Sequence, residues 1–184
     1  APGAPGAAVA GPEPEPELAR SVPQALTVES HDTTTERETL GDVFDFVFSN
    51  KTNCDSICLQ VREQLVAQGL CVWQQQTNIP KDSDNWFAEW FPSAQKATKI
   101  VCFVNADYLT SPWCMKEFRV AESLGKLLVV ACEPLSTIMQ VNASQYPHAS
   151  NALAYFLGGG QAICPDGKVF GGEEDVVQKI LQFS

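Results

Sequence analysis

Positive charge is scarce in this chain of 184 residues: 12 Lys and Arg stand against 22 Asp and Glu, leaving a formal charge of −10. Such an acidic surface argues against gripping nucleic acid or an anionic membrane as its main task. Histidine is scarcer still, with only His31 and His148. His31 falls in the N-terminal stretch and His148 in an irregular one, so neither Ser-His-Asp nor Cys-His catalysis has a plausible constellation. No apolar run approaches the ~20 residues that a membrane-crossing helix needs. There is no Cys-x-x-Cys pair. Cys54 and Cys58 are spaced to share a helix side, but no histidine is in position to extend them into a zinc site. Two glycine clusters, Gly158-Gly-Gly160 and Gly171-Gly172, are not followed by Lys-Ser/Thr. They read as turns and not as a nucleotide-binding phosphate loop.

The acidity that is present is uneven. Residues 1–40 hold seven acids and two bases, a net −5, together with six of the twelve prolines. Alternating Pro-Glu at 12–17 repels itself and favours extended conformers without a core. Residues 1–40 are therefore expected to form a solvated tail or linker, or an arm that orders on a partner, and 41–184 the folded domain. A chain opening on Ala is expected to be a processed product or a fragment, and an organellar transit peptide removed earlier fits that expectation. The seven cysteines are odd in number and fall mostly in or beside apolar segments. That usage suits the cytoplasm or another reducing compartment, with Cys acting as a small hydrophobe.

From residue 42 onward, apolar runs alternate with helix-period segments. Strands are expected at 43–48, 70–73, 99–104, 126–132 and, more weakly, 161–164. Between them the pattern predicts helices at 55–68, 111–124 and 173–183, a possible one near 149–157, and one or two turns at 85–91 that stop at Pro92. Residues 74–84 carry no period and read as a loop. Continuous apolar strands joined by helical crossovers imply a parallel sheet covered on both faces. The expected architecture is α/β and flavodoxin-like, a five-stranded parallel sheet in the order 2-1-3-4-5. Ligands then bind beyond the carboxyl ends of strands 1 and 3, at Ser49–Asn53 and Asn105–Asp107.

The most distinctive string is Tyr108-Leu-Thr-Ser-Pro-Trp-Cys-Met-Lys-Glu-Phe118. Ser111 can cap the helix after it, with Pro112 at its first position. Trp113 and Glu117 share a face. Two readings stand side by side. Trp113 either desolvates Glu117 or offers a stacking surface for a flat ring, or it is a half-buried anchor beside a solvent-facing Glu favoured by the helix dipole.

Taken together, these segments resemble the Toll/interleukin-1 receptor (TIR) domain family. Asp45-Phe-Val-Phe-Ser-Asn-Lys51 is similar to its first box, Gln68-Gly-Leu-Cys-Val-Trp73 to its second strand, and 74–84 occupies the place of its BB loop. The Ser-x-Trp-Cys-x-x-Glu segment ending at Glu117 is the closest match. Some family members split the nicotinamide–ribose bond of NAD+ in signalling or immune defence. Others are silent interaction or scaffold modules that dock onto larger assemblies.

The resemblance implies NAD+ as substrate and Glu117 as the catalytic carboxylate, supporting an oxocarbenium-like state. It also implies Ser49, Lys51, Asn53 and Asn105 as contacts to ribose or pyrophosphate, and Trp73 or Trp113 as ring-stacking partners. No metal is implied. Self-association, or pairing with other TIR-like domains, is expected through 74–84, and docking to a larger assembly through 1–40. The chain departs from the pattern at Gln74-Gln75-Gln76, where an acidic residue is common, and at Lys51, where Arg is more frequent.

Overall fold

The computed structural model describes residues 43–78, 86–164 and 172–183. The expected tail, 1–40, lies outside them. The described chain runs β1 (Phe46–Asn50), α1 (Asp55–Ala67), β2 (Val72–Trp73), α2 (Gln75–Asn78), α3 (Trp86–Lys96), β3 (Lys99–Val104) and α4 (Ala106–Thr110). It continues with α5 (Pro112–Ser123), β4 (Leu127–Ala131), α6 (Leu135–Ile138), α7 (Ser150–Leu157) and α8 (Glu173–Leu181).

All strand pairs are parallel, in the order β2-β1-β3-β4. That is the expected order for the first four strands. The fifth strand is a correction. Among the described residues, 161–164 contributes one parallel bridge, Ile163 to Val130, held by Ile163 N–H to Val129 O at 2.8 Å and Ala131 N–H to Ile163 O at 2.9 Å. On the N-terminal side of the bridge the Gln161 carbonyl accepts from the Tyr155 hydroxyl at 2.7 Å.

Alternation along the buried strands sorts the core into two faces. Val47, Ile100, Cys102, Val104, Val129 and Ala131 face one way, packed under α3, α4, α5 and α7. Phe46, Phe48, Val101, Phe103, Leu128 and Val130 face the other, under α1 and α8. Phe48 and Phe103 meet edge-to-face with ring centroids 5.0 Å apart, a contact worth roughly 0.5–1.5 kcal/mol beyond its buried area.

Sequence signals for helix ends translate directly. Ser111 accepts the Cys114 N–H, Pro112 opens α5, and Gly125 follows it at φ +67°, a backbone conformation costly to residues with a Cβ. Further elements differ from expectation, beginning with 74–84, read as a loop, where Gln75–Asn78 form the short helix α2. β1 continues through Ser49 and Asn50, because pairing with Cys102 and Phe103 defines the strand where apolarity no longer does. The segment after β3 is not a plain loop, since the Asn105 side chain accepts the Tyr108 N–H and caps α4. Helix α3 runs past Pro92 to Lys96. The proline leaves the Ala88 carbonyl without its helical donor, but Ala88 is exposed and water can serve it.

Because Pro92 is itself exposed, its ring adds little packing to offset the missing hydrogen bond. Pro92→Ala is expected to stabilise the domain by about 1–2 kcal/mol, read as a higher denaturant midpoint with unchanged slope. A lower midpoint would mean that the ring's rigidity outweighs the lost bond.

Candidate functional site

The register of β1 on β3 turns Ser49 toward α5, opposite Cys102. From α5, Glu117 reaches down onto the same spot and its Oε2 accepts the Ser49 hydroxyl. The Ser49 oxygen lies 2.6 Å from the Tyr108 hydroxyl, supplied by α4. With Ser49 donating to the Glu117 carboxyl, Tyr108 donates to Ser49, giving a three-member relay. Trp90 of α3 closes the side, its Nε1 donating to the Phe48 carbonyl at 3.2 Å. Ser49 is 2 % exposed and Glu117 5 %.

This burial governs the electrostatics. Loss of water pushes the Glu117 carboxyl up to about 8, against the opposing pull of the Ser49 hydrogen bond. The acid is therefore neutral at pH 7 in this arrangement. Burial likewise pushes the Cys102 thiol up to about 12 and Cys114 to about 11, and raises the Tyr108 phenol well above its ordinary value.

Around this centre lies a more open layer. Asn105 donates to Asn53 Oδ1 at 3.1 Å and to Cys54 Sγ at 3.4 Å. Asn53 in turn donates to Asp107 at 2.8 Å. The Ala106 N–H donates to Glu133 beyond β4 at 2.9 Å. Lys51 is half-buried, and its positive charge lowers the Cys114 thiol slightly against burial.

Of the residues anticipated from sequence, Ser49 and Glu117 touch, and Asn53 and Asn105 form an adjoining hydrogen-bonded layer. Trp73 does not join them. It is 4 % exposed inside the core under α3 and α5. Trp113 is 55 % exposed, with the Lys116 ammonium 5.5 Å from its ring centroid and 3.6 Å from that of Phe87. The plain reading of the Trp113–Glu117 face is thus reversed, with the Trp outside and the Glu inside. Pro112 and Trp113 open α5 at the surface, whereas the next turn lies on β1 and β3.

Tyr108 is the member that sequence reasoning passed over; its available signal was its place three residues after a capping Asn. Gln74, noted only as a departure, is fully buried with both side-chain amide atoms unpaired. Among the described residues no group of three His, Cys, Asp or Glu is placed to hold a metal ion. No described helix is long and apolar enough to cross a membrane. A cavity of about 400 Å³ opens away from Glu117, along the outer edge of β4 between Tyr155, Gln161 and Lys179.

A parallel sheet covered on both faces, with polar side chains converging at the carboxyl ends of its central strands, defines a doubly wound α/β domain of the flavodoxin-like class. Residues 46–154 match the family model described as TIR domain. The match spans more than half of the chain, and the protein belongs to that family.

Two solved structures share the fold. The TIR domain of the Toll-related receptor TRR-2 from Hydra magnipapillata superimposes with a TM-score of 0.53 at 12 % identity, over 76 % of this chain and 99 % of that one. The TIR domains of the activated Roq1 resistosome, which directly recognises the pathogen effector XopQ, give 0.56 at 14 % identity, over 76 % and 98 %. At such identities the likeness is one of fold. No curated protein matches the chain in sequence.

The raised Glu117 pKa has a stability consequence whose sign is fixed. The folded state holds this proton more tightly than the unfolded one, whose carboxyl titrates near 4.5. Glu117 therefore disfavours the fold increasingly as pH rises from about 4.5 to about 8. Glu117→Gln is expected to stabilise the domain at pH 9, on the order of a few kcal/mol, and to flatten that part of the pH profile, as read by denaturant titration. Ser49→Ala removes a donor to the carboxylate, so the Glu117 carbon resonance in NMR should titrate at still higher pH.

Proposed function

We propose that this domain is a TIR-type NAD+ glycohydrolase acting in signalling or immune defence. The observation that carries the reading is the Glu117 carboxyl seated on Ser49 at the carboxyl end of β1, with Asn53 and Asn105 hydrogen-bonded to each other at the same end of the sheet. Cleavage of the nicotinamide–ribose bond develops positive charge on the ribose, which an ionised carboxylate stabilises directly or through the ribose hydroxyls. Nicotinamide leaves readily because its ring is already cationic, so Glu117 needs no second carboxylate as proton donor. Asn53 and Asn105 offer amides to ribose or pyrophosphate, Lys51 offers charge to a phosphate, and exposed Trp113 offers a ring for stacking.

In the arrangement described, Glu117 is covered and protonated. Turnover on this reading requires the segment over Glu117 to open, which rehydrates the carboxyl and lowers its pKa. Self-association through 74–84, or pairing there with another TIR domain, is the proposed trigger. Residues 79–84 of that segment lie outside the described part. A receptor-derived TIR domain and the TIR domains of a resistosome among the solved relatives support a signalling role. Residues 1–40 are the proposed arm for docking onto a larger assembly.

The covered state of Glu117 also favours a second reading, a catalytically silent interaction module in which the carboxyl is structural. One experiment separates the two. Concentrated wild-type protein is expected to consume NAD+ faster as pH rises toward about 8, since the carboxylate is the working form. Glu117→Ala should reduce the rate by about 10²-fold or more. Equal consumption by both proteins, or none by either under conditions that promote assembly, would leave the interaction module standing.

A further inference from the structure

The cavity of about 400 Å³ beside β4 lies apart from the chemistry at Glu117. Lys99 opens β3 and Leu127 opens β4, and both line it, so it sits toward the amino ends of these strands. Ser49 and Glu117 meet at the other end. The sheet register explains what the cavity exposes. Ile100 N–H donates to the Lys126 carbonyl, and Cys132 N–H to that of Val104, so the even-numbered residues of β4 turn their backbone toward β3. The odd-numbered ones, Leu127, Val129 and Ala131, turn theirs outward.

At the carboxyl half of β4 this outward edge is satisfied, because Ile163 takes both the Ala131 N–H and the Val129 carbonyl. At the amino half it is not. The Gln161 carbonyl, next in register, accepts from the Tyr155 hydroxyl at 2.7 Å. Among the described residues no acceptor meets the Val129 N–H, and no partner meets the outward backbone of Leu127. Val129 is fully buried and lines the cavity. A buried backbone N–H without an acceptor is rare in a folded protein, and it calls for water or a ligand at that position.

The surroundings select the ligand. Tyr155 packs so closely on the turn before Ile163 that a Cβ at Gly160 would collide with its ring. Leu128, Ala162, Ile163 and Phe183 add apolar surface. In a chain of net charge −10, the lining holds Lys99 and Lys179 and no Asp or Glu. Lys179 is engaged by Asp175 at 2.7 Å, whereas Lys99 has no carboxylate partner among the described residues. Outward N–H donors, an unengaged ammonium and apolar walls together complement an anionic acceptor carried on an apolar body.

We propose that this cavity binds a small organic carboxylate with an apolar body. The carboxylate is drawn to Lys99 and to the outward N–H groups of β4, and the apolar part lies against Tyr155, Ile163 and Phe183. The site is separate from the one at Glu117 and takes a different ligand. Once bound, the ligand joins the free edge of β4 to the turn before Ile163 and to the end of α8. It thereby stabilises the domain as its concentration exceeds the dissociation constant.

The test titrates the full ¹⁵N-labelled chain with octanoate, a monoanion on an apolar chain, and follows the amide resonances. The uncharged counterpart is 1-octanol. Octanoate is expected to shift the Leu127 and Val129 amides saturably, with 1-octanol binding at least about tenfold more weakly. Lys99→Gln should weaken octanoate by about tenfold or more. The proposal is overturned by the absence of saturable shifts, by shifts centred away from the β4 edge, by equal affinity for 1-octanol, or by unchanged affinity in Lys99→Gln. Should that variant not fold, the comparison of octanoate with 1-octanol on the native chain still decides. None of these readouts depends on NAD+ turnover, so the outcome is independent of the glycohydrolase reading.

Discussion

The parallel pairing of β1 with β3, running from Phe46 opposite Lys99 to Asn50 opposite Phe103, is the constraint on which the rest of the molecule hangs. Side chains alternate along each strand, so this register assigns Phe46 and Phe48 to one core and Val47 and Ser49 to the other. A slip of one residue would exchange them. The aromatic pair Phe48–Phe103 would lose its packing under α1, and a phenylalanine would sit where the Glu117 carboxyl needs a donor. Apolar packing thus enforces the placement of the one hydroxyl on β1 that matters chemically.

Placing a carboxyl inside an apolar sheet-and-helix layer conflicts with the surroundings, and the relay from Tyr108 through Ser49 is what makes the conflict tolerable. The acid remains neutral at ordinary pH, where a charged form would be costly. Local features that oppose global stability concentrate at functional sites. A carboxyl stored in neutral form and ionised on rehydration fits a site whose exposure is controlled. On a purely structural reading the same position could hold a glutamine or a leucine.

The two faces of the sheet carry different chemistry at the same end. A carboxyl relay lies under α5, and the buried thiols of Cys54, Cys58, Cys132 and Cys164 lie in the core under α1 and α8. Asn105 connects them: its oxygen caps α4, which supplies Tyr108 to the relay, and its amide nitrogen reaches Asn53 and Cys54. Side chains at strand ends can serve both faces in this way because the sheet no longer separates them there.

The strand order, the helical crossovers, the cap at Ser111 and the stop at Gly125 were all legible in the sequence. They rest on apolar periodicity and on residues with local conformational preferences. Glu117 was legible through the Ser-x-Trp-Cys-x-x-Glu string and its place after strand 3. Other features rested on long-range geometry. The burial of Glu117 and exposure of Trp113, the reach of β1 to Ser49, the recruitment of Tyr108 and the reduction of strand 5 to one bridge depend on partners 33 to 68 residues apart. By itself the sequence determined which segments become strands and helices, because that information is local. Only the tertiary structure decided whether the carboxyl faces water and which hydroxyls reach it, because solvation and proximity are set by elements that the chain brings together from afar.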